Sequence, residues 1–135
     1  SGHESGMFGS EYFVQHCGNK LDQAKYVLNL DMVGRLDDAQ SPPPLYFRLP
    51  EGSLWENDLL PVDVDGLKVV VKNQEMPLDH TPFHKKGMLA ATFSTGLHDD
   101  YHRSTDDAER INFTGMAQVF FLLKSTSEHS SSDVS

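Results

Sequence analysis

The sequence predicts an α/β fold with three layers, a mostly parallel sheet and flanking helices. Apolar, β-rich runs of strand length stand at 24–33, 67–71 and 88–93. Segments with apolar residues at helical spacing alternate with them, and strands alternating with helices build a layered sheet. The chain has 135 residues, 38% of them apolar before its ten glycines are counted, which makes one ordinary domain or a piece of a larger one.

Taken in order, Phe8, Tyr12, Phe13 and His16 recur at helical spacing, so a first helix is expected over 7–17, ended by Gly18-Asn19. Ala24 to Val33 reads as a buried strand around Val27, Leu28 and Leu30. Ser41-Pro42-Pro43-Pro44 reads as a rigid turn or a short extended linker, and Leu45 to Leu49 as a short strand. Ser53, with Glu56 three residues on, marks a short helix within 51–60. Leu67 to Val71 is the second buried strand. Thr81-Pro82 starts a single helical turn over 81–86. Met88 to Phe93 is the third buried strand, ending at Ser94-Thr95-Gly96. A last amphipathic helix is expected over 112–124, with Phe113, Met116, Ala117, Phe120, Phe121 and Leu123 as its apolar stripe. Ser125 to Ser135 is polar and serine-rich and is expected to form a disordered tail after a domain at 1–124.

Composition excludes several functions. A net charge of −9 lacks the basic footprint that nucleic acids and anionic membranes require. No apolar run approaches the roughly 18 residues of a membrane-spanning helix. The single cysteine, Cys17, rules out an internal disulfide framework and a thiolate zinc cluster. It is expected to be a small, buried or half-buried side chain. No signal pattern is present, and the first residue is not Met, as in a processed product or an excised piece.

Three polar clusters stand at the ends of apolar elements: His3-Glu4 before the first helix, Asp31 after Leu30, and His98 to His102 after the third strand. Ligands of open α/β sheets bind outside the carboxyl ends of strands. Glu, Asp and His suit zinc in a site without thiolates. Each cluster also has a plainer reading. An Asp after a strand often forms a turn or caps a helix, and Asp99-Asp100 reads equally as a solvated acidic run.

In this order the segments resemble a known family, the co-catalytic zinc exopeptidases, which groups bacterial leucyl-type aminopeptidases with glutamate carboxypeptidase. Gly2-His3-Glu4-Ser5-Gly6-Met7-Phe8-Gly9-Ser10 resembles its Gly-Glu-Glu-x-Gly-x-x-Gly-Ser segment. Asn29-Leu30-Asp31-Met32-Val33-Gly34 resembles its Asn-x-Asp-Met-x-Gly segment. Asp79-His80-Thr81-Pro82-Phe83 resembles Asp-His-x-x-Phe, with Leu78 replacing a preceding Ser. Thr95 to Asp106 resembles Thr-Gly-x-His-x-x-Tyr-His-x-x-x-Asp. The resemblance implies a zinc-dependent exopeptidase, aminopeptidase-like, acting on peptide substrates. Glu4 and His102 would bind one zinc and Asp31 the other. Tyr101 would donate to the oxyanion, where a fixed phenol favours the transition state over the ground state. Asp106 would support the site, and Asp79 and His80 would order the pocket wall. Trp55 and the Pro42–Pro44 turn are expected in that wall by position. The resemblance also implies a secreted or periplasmic location.

Two departures stand out. The family has Glu at the position of His3, where it takes a proton from the bridging water. An imidazole can accept that proton, but its reach and charge differ. The family's His-x-Asp pair and first strands also lie upstream of anything in this sequence. The chain therefore resembles the C-terminal half of a catalytic domain, an incomplete fold expected to be inactive alone. Its exposed sheet edge would invite self-association. The alternative is a degenerate, non-catalytic binding module of the same fold. Glutaminyl cyclases, a third reading, tend to carry Trp before the ligand His, where this chain has Tyr101. Asn112-Phe113-Thr114 matches a glycosylation acceptor pattern, which has meaning only on a eukaryotic secretory route.

Overall fold

A computed structural model describes residues 2–50, 53, 66–73 and 76–132. Helix α1 spans Phe8–His16 and is followed by a 3-10 segment, Gly18–Gln23. Strands β1 (Val27–Leu30), β2 (Pro44–Arg48) and β3 (Lys68–Lys72) come next, then the short helix α2 (Thr81–Lys85), strand β4 (Ala90–Ser94) and helix α3 (Phe113–Ser132). The helix expected within 51–60 and Trp55 lie outside the described residues.

The sheet order is β1-β4-β2-β3. β1 pairs with β4, and β2 with β3, in parallel, while β2 and β4 run antiparallel. The mostly parallel sheet is therefore as expected, with one antiparallel step at its centre. β4 is buried along its whole length, which explains why Ala90-Ala91-Thr92-Phe93 reads as a continuous apolar run. Alternation along β4 and β2 assigns the two faces. Ala91 and Phe93 join Leu45, Phe47, Leu49 and Leu36 in one core, which Val119 and Leu122 of α3 cover. Phe47 and Phe93 stack with ring centroids 4.4 Å apart. Thr92 faces the other way, where its hydroxyl lies 2.7 Å from His80 Nδ1 and 3.1 Å from the Asn29 amide nitrogen. α2 packs against β4, and α1 against α2, to form the third layer.

The last helix differs from its expected face. Val119, Leu122 and Thr126 are buried, with Gly115, whereas Phe113, Phe120 and Phe121 of the expected stripe are exposed. The helix is apolar on more than one side, so backbone approach decides which side turns inward. A Cβ on Gly115 would lie 2.7 Å from Leu36 Cβ, so only glycine lets α3 come this close. Asn112 caps the helix. Its Oδ1 accepts from Gly115 N–H at 2.9 Å, while its Nδ2 donates to Leu36 O and Asp38. The helix also runs through Ser132, past Lys124, where the sequence reading begins a disordered tail. Thr126 is 3% exposed, and the Tyr26 hydroxyl donates to Ser127 O at 3.3 Å, so tertiary contact holds a serine-rich stretch in helical form.

β1 is shorter than its apolar run. It begins only at Val27, four residues after the 3-10 segment ends at Gln23, and Met32 takes a left-handed φ of 56° just beyond its end. α1 buries only Val14, leaving Phe8, Tyr12 and Phe13 exposed.

Candidate functional site

The loop before α1 is a tight turn. Ser5 and Phe8 N–H both donate to Gly2 O, and Gly6 and Met7 N–H both donate to His3 O. Gly2, Gly6 and Met7 all have positive φ, at 76°, 113° and 62°. A residue other than glycine in this region is strained, and such strain gathers at functional sites. The turn holds His3 and Glu4 at the mouth of a cleft of about 570 Å³.

Asp31 leaves the end of β1, its N–H donating to Phe93 O at 3.0 Å. The next residue, Met32, is left-handed, and both the backbone N–H and the hydroxyl of Thr95 donate to its carbonyl. Two donors on one oxygen fix this bend and so set the direction of Asp31, which lines the same cleft.

The third loop follows β4. Tyr101 N–H donates to His98 O, and Arg103 N–H to Asp100 O. His102 has a φ of 55°, the third strained position at this cleft outside glycine. Its ring meets that of Tyr101 edge-on at 4.0 Å. His102 Nε2 lies 3.5 Å from Glu4 Oε1, which joins the first loop to the third. Tyr101 is 42% exposed beside them.

Arg35 braces this third loop. Its guanidinium donates to Asp100 and Asp106, both at 2.7 Å, and Thr105 donates to the other Asp100 oxygen. Hydrogen bonding from Arg35, then from Thr105, holds the Asp100 carboxyl down at about 2. Arg35 is raised in turn, first by its bond to Asp100. Sequence reading missed this brace. Arg35 lies six residues past Asn29 in a matching segment, but a lone arginine has no spacing that announces its partners. Asp106, held by Arg35, also has its Oδ2 3.8 Å from His98 Nε2. The other ring nitrogen of His98 is buried without a hydrogen-bond partner among the described residues.

His3 Nδ1 lies 3.0 Å from Asp79 Oδ2, and the Ser10 hydroxyl donates to Asp79 Oδ1 at 2.7 Å. His80 sits behind the wall, 5% exposed. Burial, then the nearby His84, pushes it down to about 4, against a small upward pull from Asp79.

The sequence-predicted residues His3, Glu4, Asp31, Tyr101 and His102 thus line one cleft. Glu4 and His102 converge, and Asp31 stands apart from them. Among the described residues no three His, Cys, Asp or Glu side chains are grouped closely enough to hold one ion. A carboxylate and an imidazole at 3.5 Å do fit an oxygen/nitrogen metal such as zinc, as two of its ligands.

The sequence pattern of peptidase family M28 matches residues 1–126. The chain belongs to peptidase family M28. No curated protein matches the sequence. Among solved structures, the M28 chain is similar to BSAP, a zinc aminopeptidase from Bacillus subtilis, at 25% identity and a TM-score of 0.72, over 93% of this chain and 33% of that one. It is similar in fold to the LapA aminopeptidase of Legionella pneumophila, at 21% identity and a TM-score of 0.75, over 93% of this chain and 36% of LapA. An aminopeptidase from Aneurinibacillus sp. strain AM-1 matches at 21% identity and a TM-score of 0.69, over 92% of this chain and 30% of that one. The chain therefore spans about a third of the length of the structures it resembles. No helix among its described residues is long and apolar enough to cross a membrane.

Proposed function

We propose that this M28 chain supplies part of the active site of a zinc-dependent exopeptidase that removes terminal residues from peptides. The carrying observation is the approach of Glu4 to His102 at 3.5 Å, from distant parts of the sequence, in the cleft that Asp31 and Tyr101 also line. Glu4 and His102 would hold one zinc and Asp31 would serve a second. When bound, zinc would polarise the scissile carbonyl and acidify the attacking water. His3 takes the proton of that water and returns it to the leaving amine. Tyr101 donates to the oxyanion that forms on the substrate; its hydroxyl makes no hydrogen bond to the described residues and is free to do so. The structural neighbours include aminopeptidases, which supports action at the amino end. Family resemblance supports a secreted or periplasmic setting.

A second reading is a non-catalytic module of the same fold, favoured by His3 standing where the family has Glu. Hydrolysis of aminoacyl p-nitroanilides by the whole protein separates the two. The exopeptidase reading expects turnover that falls roughly 100-fold or more in Tyr101→Phe, by the size of a lost oxyanion donor. Metal content should stay constant. Turnover untouched by Tyr101→Phe, or absent from the wild-type protein, would overturn it.

A further inference from the structure

We propose that Asp79 is the positioning residue for His3: it selects the Nδ1–H tautomer and so turns the Nε2 lone pair to the cleft. This rests on the reading of His3 as the group that takes the proton of the attacking water.

A histidine needs more than a glutamate does to serve as base at this position. A carboxylate base has two equivalent oxygens, and rotation costs it nothing. A neutral imidazole has one lone pair, on whichever nitrogen lacks the proton. In the wrong tautomer it presents N–H to the water and cannot act as a base. A histidine at this position therefore requires a partner that fixes the proton on the far nitrogen.

Asp79 is placed for that task. Its Oδ2 lies 3.0 Å from His3 Nδ1, across 76 positions of sequence. An ionised carboxylate only accepts, so the nitrogen facing it carries the proton. Nε2 has no hydrogen-bond partner among the described residues, and the ring lines the cleft with Glu4, Asp31 and His102.

The carboxylate is itself held. Ser10, in the first turns of α1, donates to its other oxygen at 2.7 Å. Its backbone lies in a closed turn, in which Thr81 N–H donates to Leu78 O at 2.8 Å and Leu78 N–H to the Thr81 hydroxyl at 3.0 Å. The contact of α1 with α2, where Phe13 meets Phe83 at 6.1 Å, sets the distance between Ser10 and Asp79.

The order Ser10–Asp79–His3 puts the hydroxyl on the far side of the carboxylate from the ring. This is not a nucleophile arrangement, in which the ring lies between hydroxyl and carboxylate. Ser10 anchors and Asp79 orients. During the reaction the water's proton passes to Nε2, the Nδ1 proton stays where it is, and the resulting imidazolium faces the Asp79 charge until Nε2 releases its proton to the leaving amine.

The test is ring-nitrogen NMR on the ¹⁵N-labelled chain, at a pH where its histidines are neutral. His16 is an internal standard, because its Nδ1 lies 2.8 Å from the Tyr12 carbonyl, which can only accept. The expected wild-type spectrum shows His3 protonated at Nδ1, like His16. In Asp79→Ala, His3 shifts toward the Nε2–H form that free imidazole side chains prefer, and His16 keeps its tautomer. A wild-type His3 protonated at Nε2 overturns the proposal without need of any variant. So does an Asp79→Ala protein whose His3 signals stay unchanged. Failure of the underlying reading looks different: hydrolysis by the whole enzyme that survives His3→Ala removes the base role and leaves the Nδ1–H tautomer in place.

Discussion

His80 makes the stability of this chain pH-dependent in a defined window. The ring is 5% exposed and bonded through Nδ1 to the buried Thr92 hydroxyl. Burial first, and His84 second, lower it from 6.5 to about 4 in the folded protein. In the unfolded chain it titrates near 6.5. Between these values the unfolded chain binds the proton and the folded chain does not, so stability rises with pH across the window. The contribution is complete above about pH 6.5 and is lost progressively as pH falls toward about 4. A shift of this size corresponds to about 3 kcal/mol at most, at ~1.4 kcal/mol per pH unit. Other groups titrate over the same range, so the informative quantity is a difference. Urea unfolding followed by far-UV circular dichroism would be measured from pH 7.5 to 4 for wild type and His80→Gln. Wild type should lose about 3 kcal/mol relative to the variant on going down through the window. Parallel curves for the two proteins would refute the argument, because they would mean that His80 pays no penalty for charging where it is buried.

Other predictions follow from single contacts. Gly96 has a φ of 90°, and a Cβ there would lie 2.6 Å from Tyr46 Cε2. Gly96→Ala should cost at least about 1–2 kcal/mol from the left-handed backbone alone. An unchanged urea midpoint would contradict this. Arg35→Ala removes the guanidinium that joins Asp100 to Asp106. Amide exchange at Arg103 and Asp106, whose N–H groups close the turns of that loop, should then speed up, while exchange in β4 stays as it was. Equal protection with and without Arg35 would remove its bracing role.

The parts of this molecule that were legible in the sequence are those with a local signature. β4 reads as a continuous apolar run because both of its faces are covered, and Thr81-Pro82 marks α2 because proline is favoured in a first turn. Glu4, Asp31, Tyr101 and His102 were named from motif segments, and all four line one cleft. What could not be read depends on distant partners. The inward face of α3 follows from the fit of Gly115 against Leu36, not from a count of its phenylalanines. Helix beyond Lys124 persists through the burial of Thr126 against a serine-rich composition. The antiparallel pairing of β2 with β4 carries no mark in either strand. The same holds for the site. His3 was named, but its bond to Asp79 joins residues 76 positions apart, and no spacing encodes that.

The proposed function requires Glu4 and His102 to act together on one zinc. Zinc titration of the purified chain, followed by calorimetry, tests it most directly, with Glu4→Ala, His102→Ala and His16→Ala as comparisons. Zinc binding is expected in the wild-type chain and should be lost or strongly weakened in the first two variants. Binding should be kept in His16→Ala, whose ring stacks on Tyr12. Equal zinc affinity in all four proteins, or no zinc bound by the wild-type chain, would contradict it.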